Sequence, residues 1–177
     1  ISKSPAVFDI TKLKWMNGEY LKAMDADRFY ELAEPYLKAA ITKDLDLKKI
    51  AGMVKTRIEI FPDIAAQVDF FQELPEYSVD LFVNKKSKTN LENSITMLEA
   101  AIPELESVSD WQLDTIHDQL IALAQRLEVK NGTLLWPVRI AAAGMQVTPG
   151  GAMEILAILG KEESLRRLEI GLEKLKK

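Results

Sequence analysis

Cysteine is missing altogether from the 177 residues, and histidine occurs once, at His117. The first absence removes disulfides, thiol nucleophiles and cysteine-rich zinc sites; the second removes any metal site built on paired imidazoles. No apolar run approaches the roughly 18 residues that a bilayer crossing requires, because Glu154 interrupts the best candidate. No secretion signal is recognisable, so a cytoplasmic location is the expectation. Positive charge is not in excess either: 23 basic side chains face 27 acidic ones, for a net charge of −4 and a pI near 5.2. A balance of that sign opposes nucleic-acid binding by the molecule as a whole. The phosphate-cradling patterns G-x-G-x-x-G and G-x-x-x-x-G-K-[ST] do not occur, and the chain opens at Ile1 without an initiator methionine, as an excerpt of a longer protein is expected to.

What is present is 47% hydrophobic and 28% charged, which suits one or two small globular domains. Residues 1–108 hold 14 basic and 18 acidic side chains, while residues 109–177 hold nine of each. Only charges within about 8 Å act strongly on a phosphate at physiological salt, so local arrangement decides what the second half can bind. Apolar residues recur three and four apart nearly throughout, and the expected fold is all-α and multihelical. The spacing predicts helices over residues 10–17, ended by Gly18; 24–40, with Pro35 as a kink; 46–60; 64–74; 91–102, closed by Pro103; and 110–128, capped by Ser109. Residues 104–108 read as a linker.

The densest information lies between Gly132 and Leu168. Gly144 and Gly160 sit where helices should stop, since glycine takes the left-handed cap conformation without a Cβ penalty. Trp136 precedes a proline and is biased toward extended geometry, so the helix carrying Arg139 is expected to start near it. Thr148 and Pro149 read as N-cap and first residue of the next helix. Gly150 and Gly151 follow, leaving backbone N–H groups open to a phosphate, a carboxylate or a base edge. Ala141, Ala142 and Ala143 allow another backbone to pack close and hold Arg139 rigidly. A corner in which glycines and alanines serve packing alone has the same pattern.

Elsewhere the candidates are weaker. Arg57, on the flank of the 46–60 stripe, can reach a ligand or pair with Glu59. Lys85, Lys86 and Lys88 form a basic loop open either to solvent or to a phosphate backbone. His117 has Asp114 one turn before it but no aligned nucleophile, and reads as a partly buried structural histidine. Arg166 and Arg167 stand four residues after Glu162 and Glu163 and read as structural.

P-V-R-I-A-A-A-G from Pro137, T-P-G from Thr148, E-I-L-A-I-L-G-K-E from Glu154 and L-R-R-L from Leu165 resemble the C-terminal end of bacterial glutamyl-tRNA synthetases. L-K-W-M-N-G-E-Y-L from Leu13 to Leu21 resembles the family segment that opens its helical anticodon-binding region. The resemblance implies two consecutive helical subdomains, 11–108 and 109–177, after a tail of the preceding stem-contact domain at 1–10. It implies that Arg139, Thr148, Pro149, Gly150 and Gly151 approach anticodon bases, and that Arg57 sits at the discriminating position. Gly151 departs from relatives that carry leucine there. The partner implied is the anticodon loop of glutamate tRNA, with no DNA or membrane partner and a monomeric state. No catalytic or metal-binding residue is expected within the chain; ATP and Mg²⁺ belong to an absent catalytic domain. A parent enzyme that also accepts glutamine tRNA stays open, as do a helical protein-interaction module and a small enzyme.

Overall fold

The computed structural model describes residues 9–177, so the tail expected at residues 1–10 lies outside them but for its last two. Contacts divide the chain into two compact units, one ending at Asp69 and the other running from Phe70.

In the first unit, α1 (Ile10–Ala23) is capped by Asp9, whose carboxylate accepts from the Lys12 N–H at 3.2 Å. It does not stop at Gly18. That glycine is buried within the helix, where a Cβ would come within 3.2 Å of Glu59 Cγ, and the neighbouring Asn17 amide donates to the Glu59 carbonyl at 2.5 Å. The glycine therefore serves close approach to the 58–59 segment, and Trp15 is 58% exposed. The second helix, α2 (Ala26–Ala40), contains Pro35 on its exposed side, and Phe29, Ala33 and Leu37 bury its other face. Next comes α3 (Leu47–Val54), shorter than the apolar stripe suggested. The Asp63 carboxylate accepts from the N–H groups of Glu59 and Ile60, both at 3.2 Å, which removes the donors that two more helical residues would need. Phe61 packs its ring against Phe29 and Tyr36 in a short 3₁₀ turn, and α4 (Ile64–Gln72) follows, its last three residues belonging to the second unit.

The second unit is built on α5 (Leu91–Glu106), α6 (Leu113–Arg126), α7 (Asn131–Ala143), α8 (Ala152–Leu159) and α9 (Lys161–Lys176). Packed against both α7 and α9, α5 belongs with the C-terminal helices, and the expected boundary at 108/109 is replaced by one at 69/70. Residues 104–108 are no linker. Pro103 sits inside α5, and the stripe of Leu98, Ala101, Ile102 and Leu105 runs past it into the core, so burial outweighs the single backbone hydrogen bond that proline forfeits. The same reasoning moves the start of α7 back to Asn131: Leu134, Val138 and Ala141 form one buried face, and Trp136 and Pro137 are helical. Ser109 caps nothing. Trp111 donates its indole N–H to the Leu156 carbonyl at 2.8 Å, and α6 begins only after Gln112. Among the described residues no helix is long and apolar enough to cross a membrane.

Candidate functional site

Gly144, at φ +63°, ends α7 as expected and turns the chain back on itself. The Arg139 guanidinium occupies the inside of this turn. Nη2 donates to the Gln146 carbonyl at 2.7 Å, and Nη1 donates to the Thr148 hydroxyl at 2.9 Å and, more loosely, to the Met145 carbonyl at 3.4 Å. One face of the group stacks over the Trp136 ring at 4.7 Å, one turn earlier on the helix. The rigid partner expected for Arg139 is thus the loop of residues 145–148 itself. Thr148 does not cap a helix: it is buried, and its hydroxyl accepts from Arg139 and donates to the Gly150 carbonyl at 3.0 Å. The cap of α8 is Gly151, whose N–H reaches the Glu154 carboxylate at 3.3 Å.

The corner nevertheless presents an open edge. Pro149 is buried behind it, Gly150 turns at φ +79°, and Gly151 is exposed, with only Glu154 Oε1 within 4 Å of where its Cβ would be. A groove of about 410 Å³ opens beside Gly151, lined by Leu113, Asp114, His117, Leu135, Met153 and Glu154. Its lining is mostly apolar, with the Asp114 and Glu154 carboxylates among it. His117 is 54% exposed there, with Nδ1 3.2 Å from the Asp118 carboxylate, so the expectation of a partly buried histidine is not met. Among the described residues no three His, Cys, Asp or Glu side chains are grouped to hold a metal ion.

Arg57 belongs to the other unit and follows α3 on a turn rather than riding a helix, its N–H bonded to the Val54 carbonyl at 2.8 Å. Its exposed guanidinium has no hydrogen bond or ion pair among the described residues, so the pairing with Glu59 is absent. It lines a surface cleft of about 170 Å³ with Trp15, Gly18, Lys22 and Glu59. The W-M-N-G segment and Arg57 are therefore parts of one surface. Their separation in sequence hid this.

Beneath the corner lies Arg167, fully buried. Its Nη1 donates to the carbonyls of Phe70 (2.7 Å) and Ala142 (2.8 Å), and its Nε to Glu163 at 2.8 Å. Glu163 also receives Arg166 through two bonds of 2.8 and 2.7 Å. Hydrogen bonding from Arg166, reinforced by Arg167 and opposed by burial, brings the Glu163 carboxyl down from 4.5 to about 2. A depressed folded-state value stabilises the fold above pH 4.5, and that stabilisation disappears as the pH falls from 4.5 towards 2. After a discount for solvent screening it is about 2 kcal/mol. Chemical denaturation between pH 6 and pH 2.5 is expected to show that loss, and Glu163→Gln to flatten it; an equally steep decline in the variant would exclude Glu163 as its source.

Trp136 is the residue that sequence reasoning passed over. A tryptophan three residues before an arginine on a helix is the usual spacing for stacking, but the following proline argued for extended backbone and concealed it.

An all-helical unit with an arginine-held turn and an exposed backbone edge presents a surface of the kind a nucleic-acid-reading domain needs. Residues 28–172 match the family described as anticodon binding domain, and the chain belongs to it. Its relatives give the particular kind: it is 57% identical over 176 residues to the glutamate–tRNA ligase of Clostridium tetani and 53% identical over 175 residues to that of Lachnoclostridium phytofermentans. Each alignment covers 99% of this chain but 36% of the relative, so the chain spans about a third of the curated proteins it matches. Among solved structures, the glutamate tRNA ligase of Elizabethkingia meningosepticum in complex with its amino acid superposes with a TM-score of 0.79 at 26% identity, over 99% of this chain and 34% of that one. The glutamate-tRNA synthetase of Elizabethkingia anophelis gives 0.75 at 26% identity, over 98% and 33%. The region matched is the anticodon-binding part of these ligases.

Proposed function

We propose that this chain reads the anticodon of glutamate tRNA as the C-terminal part of a glutamate–tRNA ligase, and that the turn gripped by Arg139 is its central reading element. The observation that carries the reading is that grip: a stacked guanidinium fixes residues 145–148 and so sets the direction of the Gly150–Gly151 edge. Unstacked loop bases expose their edges, and a preformed backbone edge beside an apolar groove discriminates among them without having to order itself first. Arg139 and Thr148 are then positioning residues. Gly150 and Gly151 supply the edge that meets the base, Pro149 backs it from the buried side, and Arg57 supplies a second contact in the first unit.

No chemistry takes place in this chain. Activation of glutamate with ATP and Mg²⁺ belongs to the remainder of the ligase, and anticodon binding favours productive placement of the acceptor end there. The protein works in the cytoplasm as a monomer, with tRNA as its partner and neither DNA nor a membrane.

Arg139→Ala is expected to weaken binding of the cognate anticodon arm by about 1–3 kcal/mol, with Arg139→Lys recovering only part because a point charge cannot hold several acceptors in one plane. The check is titration of both variants and wild type against glutamate, glutamine and scrambled arms. Equal wild-type affinity for glutamate and scrambled arms would sink the reading. A helical protein-interaction module would also show no dependence on Arg139, and comparable binding of the glutamine arm would point to a ligase that serves both tRNAs.

A further inference from the structure

Seven of the twelve cations from Phe70 onward are already engaged. Arg126 pairs with Glu104, Arg166 and Arg167 with Glu163, Lys174 with Glu76 and Lys176 with Glu99. Lys161 holds the carbonyls of Glu106 and Val108, and Arg139 those of its loop. Among the described residues, the cations of this unit with no ion pair or side-chain hydrogen bond are Lys85, Lys86, Lys88, Lys130 and the C-terminal Lys177. The first four are exposed and stand together.

Their backbone is held firmly. Asn84 and Thr89 exchange two hydrogen bonds of 3.2 and 3.0 Å that close the turn, and the Asn84 side chain accepts from the Ser87 N–H at 2.8 Å. Thr89 is buried and donates to the Phe82 carbonyl at 2.7 Å, while Asn93 donates to the Lys88 carbonyl at 2.9 Å. Thr133, in the first turn of α7, donates to the Ser87 carbonyl at 2.8 Å, which ties the lysine turn to the helix end that Lys130 precedes. The positive end of α7 adds a field of the same sign. A loop kept only for solubility has no need of this framework. Arg139 lies eight residues further along the same helix, about 12 Å along its axis, so the lysines and the gripped turn belong to the two ends of one rigid rod.

We propose that Lys85, Lys86, Lys88 and Lys130 form a second RNA contact, which holds the sugar–phosphate backbone of the anticodon arm while the turn at 148–151 meets the bases. This rests on the anticodon-reading function above and adds to it a sequence-independent anchor. In a protein of net charge −4, a cluster of cations with no ion-pair partner among the described residues concentrates attraction for a polyanion at one place.

The test uses the 177-residue chain and its variant with Lys85→Gln, Lys86→Gln, Lys88→Gln and Lys130→Gln, titrated with glutamate and scrambled anticodon arms over a range of salt concentrations. Circular dichroism confirms that the variant is folded. The expected result is at least about a tenfold loss of affinity at low salt for both RNAs alike, with the slope of log affinity against log salt shallower by about 2 to 3 and the ratio between the RNAs preserved. An unchanged affinity and salt slope would overturn the proposal, as would a loss confined to the glutamate arm, which would put the lysines at bases. Failure of the anticodon reading looks different: wild type then shows no preference between arms, whereas the loss in the lysine variant persists.

Discussion

Arg167→Ala is expected to lower the stability of the C-terminal unit by about 3–5 kcal/mol, the range for breaking a buried charged network from one side. The guanidinium bridges three structural elements: the Phe70 carbonyl in α4, the Ala142 carbonyl at the end of α7, and Glu163 on α9. Alanine leaves two carbonyls without their donor inside the core, together with a cavity the size of an arginine side chain. Lysine does not repair this, since a single ammonium on a flexible stem cannot serve two carbonyls and a carboxylate in fixed directions. Urea unfolding followed by circular dichroism measures the loss. A change below about 0.5 kcal/mol, the size usual for surface substitutions, would show that the bridge is dispensable. Because Ala142 lies two residues before Gly144, loosening this bridge should also blur the turn that Arg139 shapes. Weaker RNA binding at temperatures where the variant is still folded is the corollary.

Gly171→Val should cost about 3 kcal/mol by overpacking. A Cβ at this position on α9 would lie 2.7 Å from the Ala141 Cβ and 3.1 Å from the Tyr77 hydroxyl. Neither neighbour is the far end of a flexible chain, so the two helices must part. Tyr77 is half-buried with its hydroxyl inside, and that desolvation, with the nearby Glu76 charge adding to it, raises the phenol to about 12. Gly171→Ala is the milder case, because the gain in helix propensity of about 1 kcal/mol offsets part of the clash. The decisive comparison is a double-mutant cycle in which Ala141→Gly is combined with Gly171→Ala. Recovery of stability in the double variant relative to the sum of the singles identifies the contact as the source, and strict additivity would refute it.

These two positions show where sequence reading works and where it stops. Ala141–Ala143 signal that some backbone comes close to α7, and Gly144 and Gly160 end helices because a positive φ is cheapest for glycine; both facts are local and therefore legible. That the close partner is Gly171, thirty positions away, depends on which helices pair. The i,i+4 spacing of Glu163 and Arg167 is visible in the chain, but nothing local distinguishes that pair from Glu162 and Arg166 or assigns it a place in the core.

The prolines mark the same limit from the other direction. Pro103 and Pro137 were expected to bound helices, on the sound ground that each removes a donor, yet both lie inside α5 and α7. One missing hydrogen bond is outweighed when the apolar stripe on either side is buried, and the extent of burial is not a local quantity. The assignment of Thr148 as a helix cap failed for a related reason: Arg139, nine residues earlier, competes for its hydroxyl and wins because the side chain is buried beside it.

The amino-acid order by itself determined the all-helical class, the existence of the corner around Gly144 to Gly151 and the family, because periodicity, glycine stereochemistry and motif order are properties of short stretches. Only the tertiary structure decided which side chains carry out which tasks: that Arg139 grips a turn, that Arg167 is buried while Arg166 is not, and that four lysines separated by up to 45 positions share a surface with no ion-pair partner among the described residues. Hydrogen bonds and charges act over a few ångströms of space, and sequence distance does not measure that space.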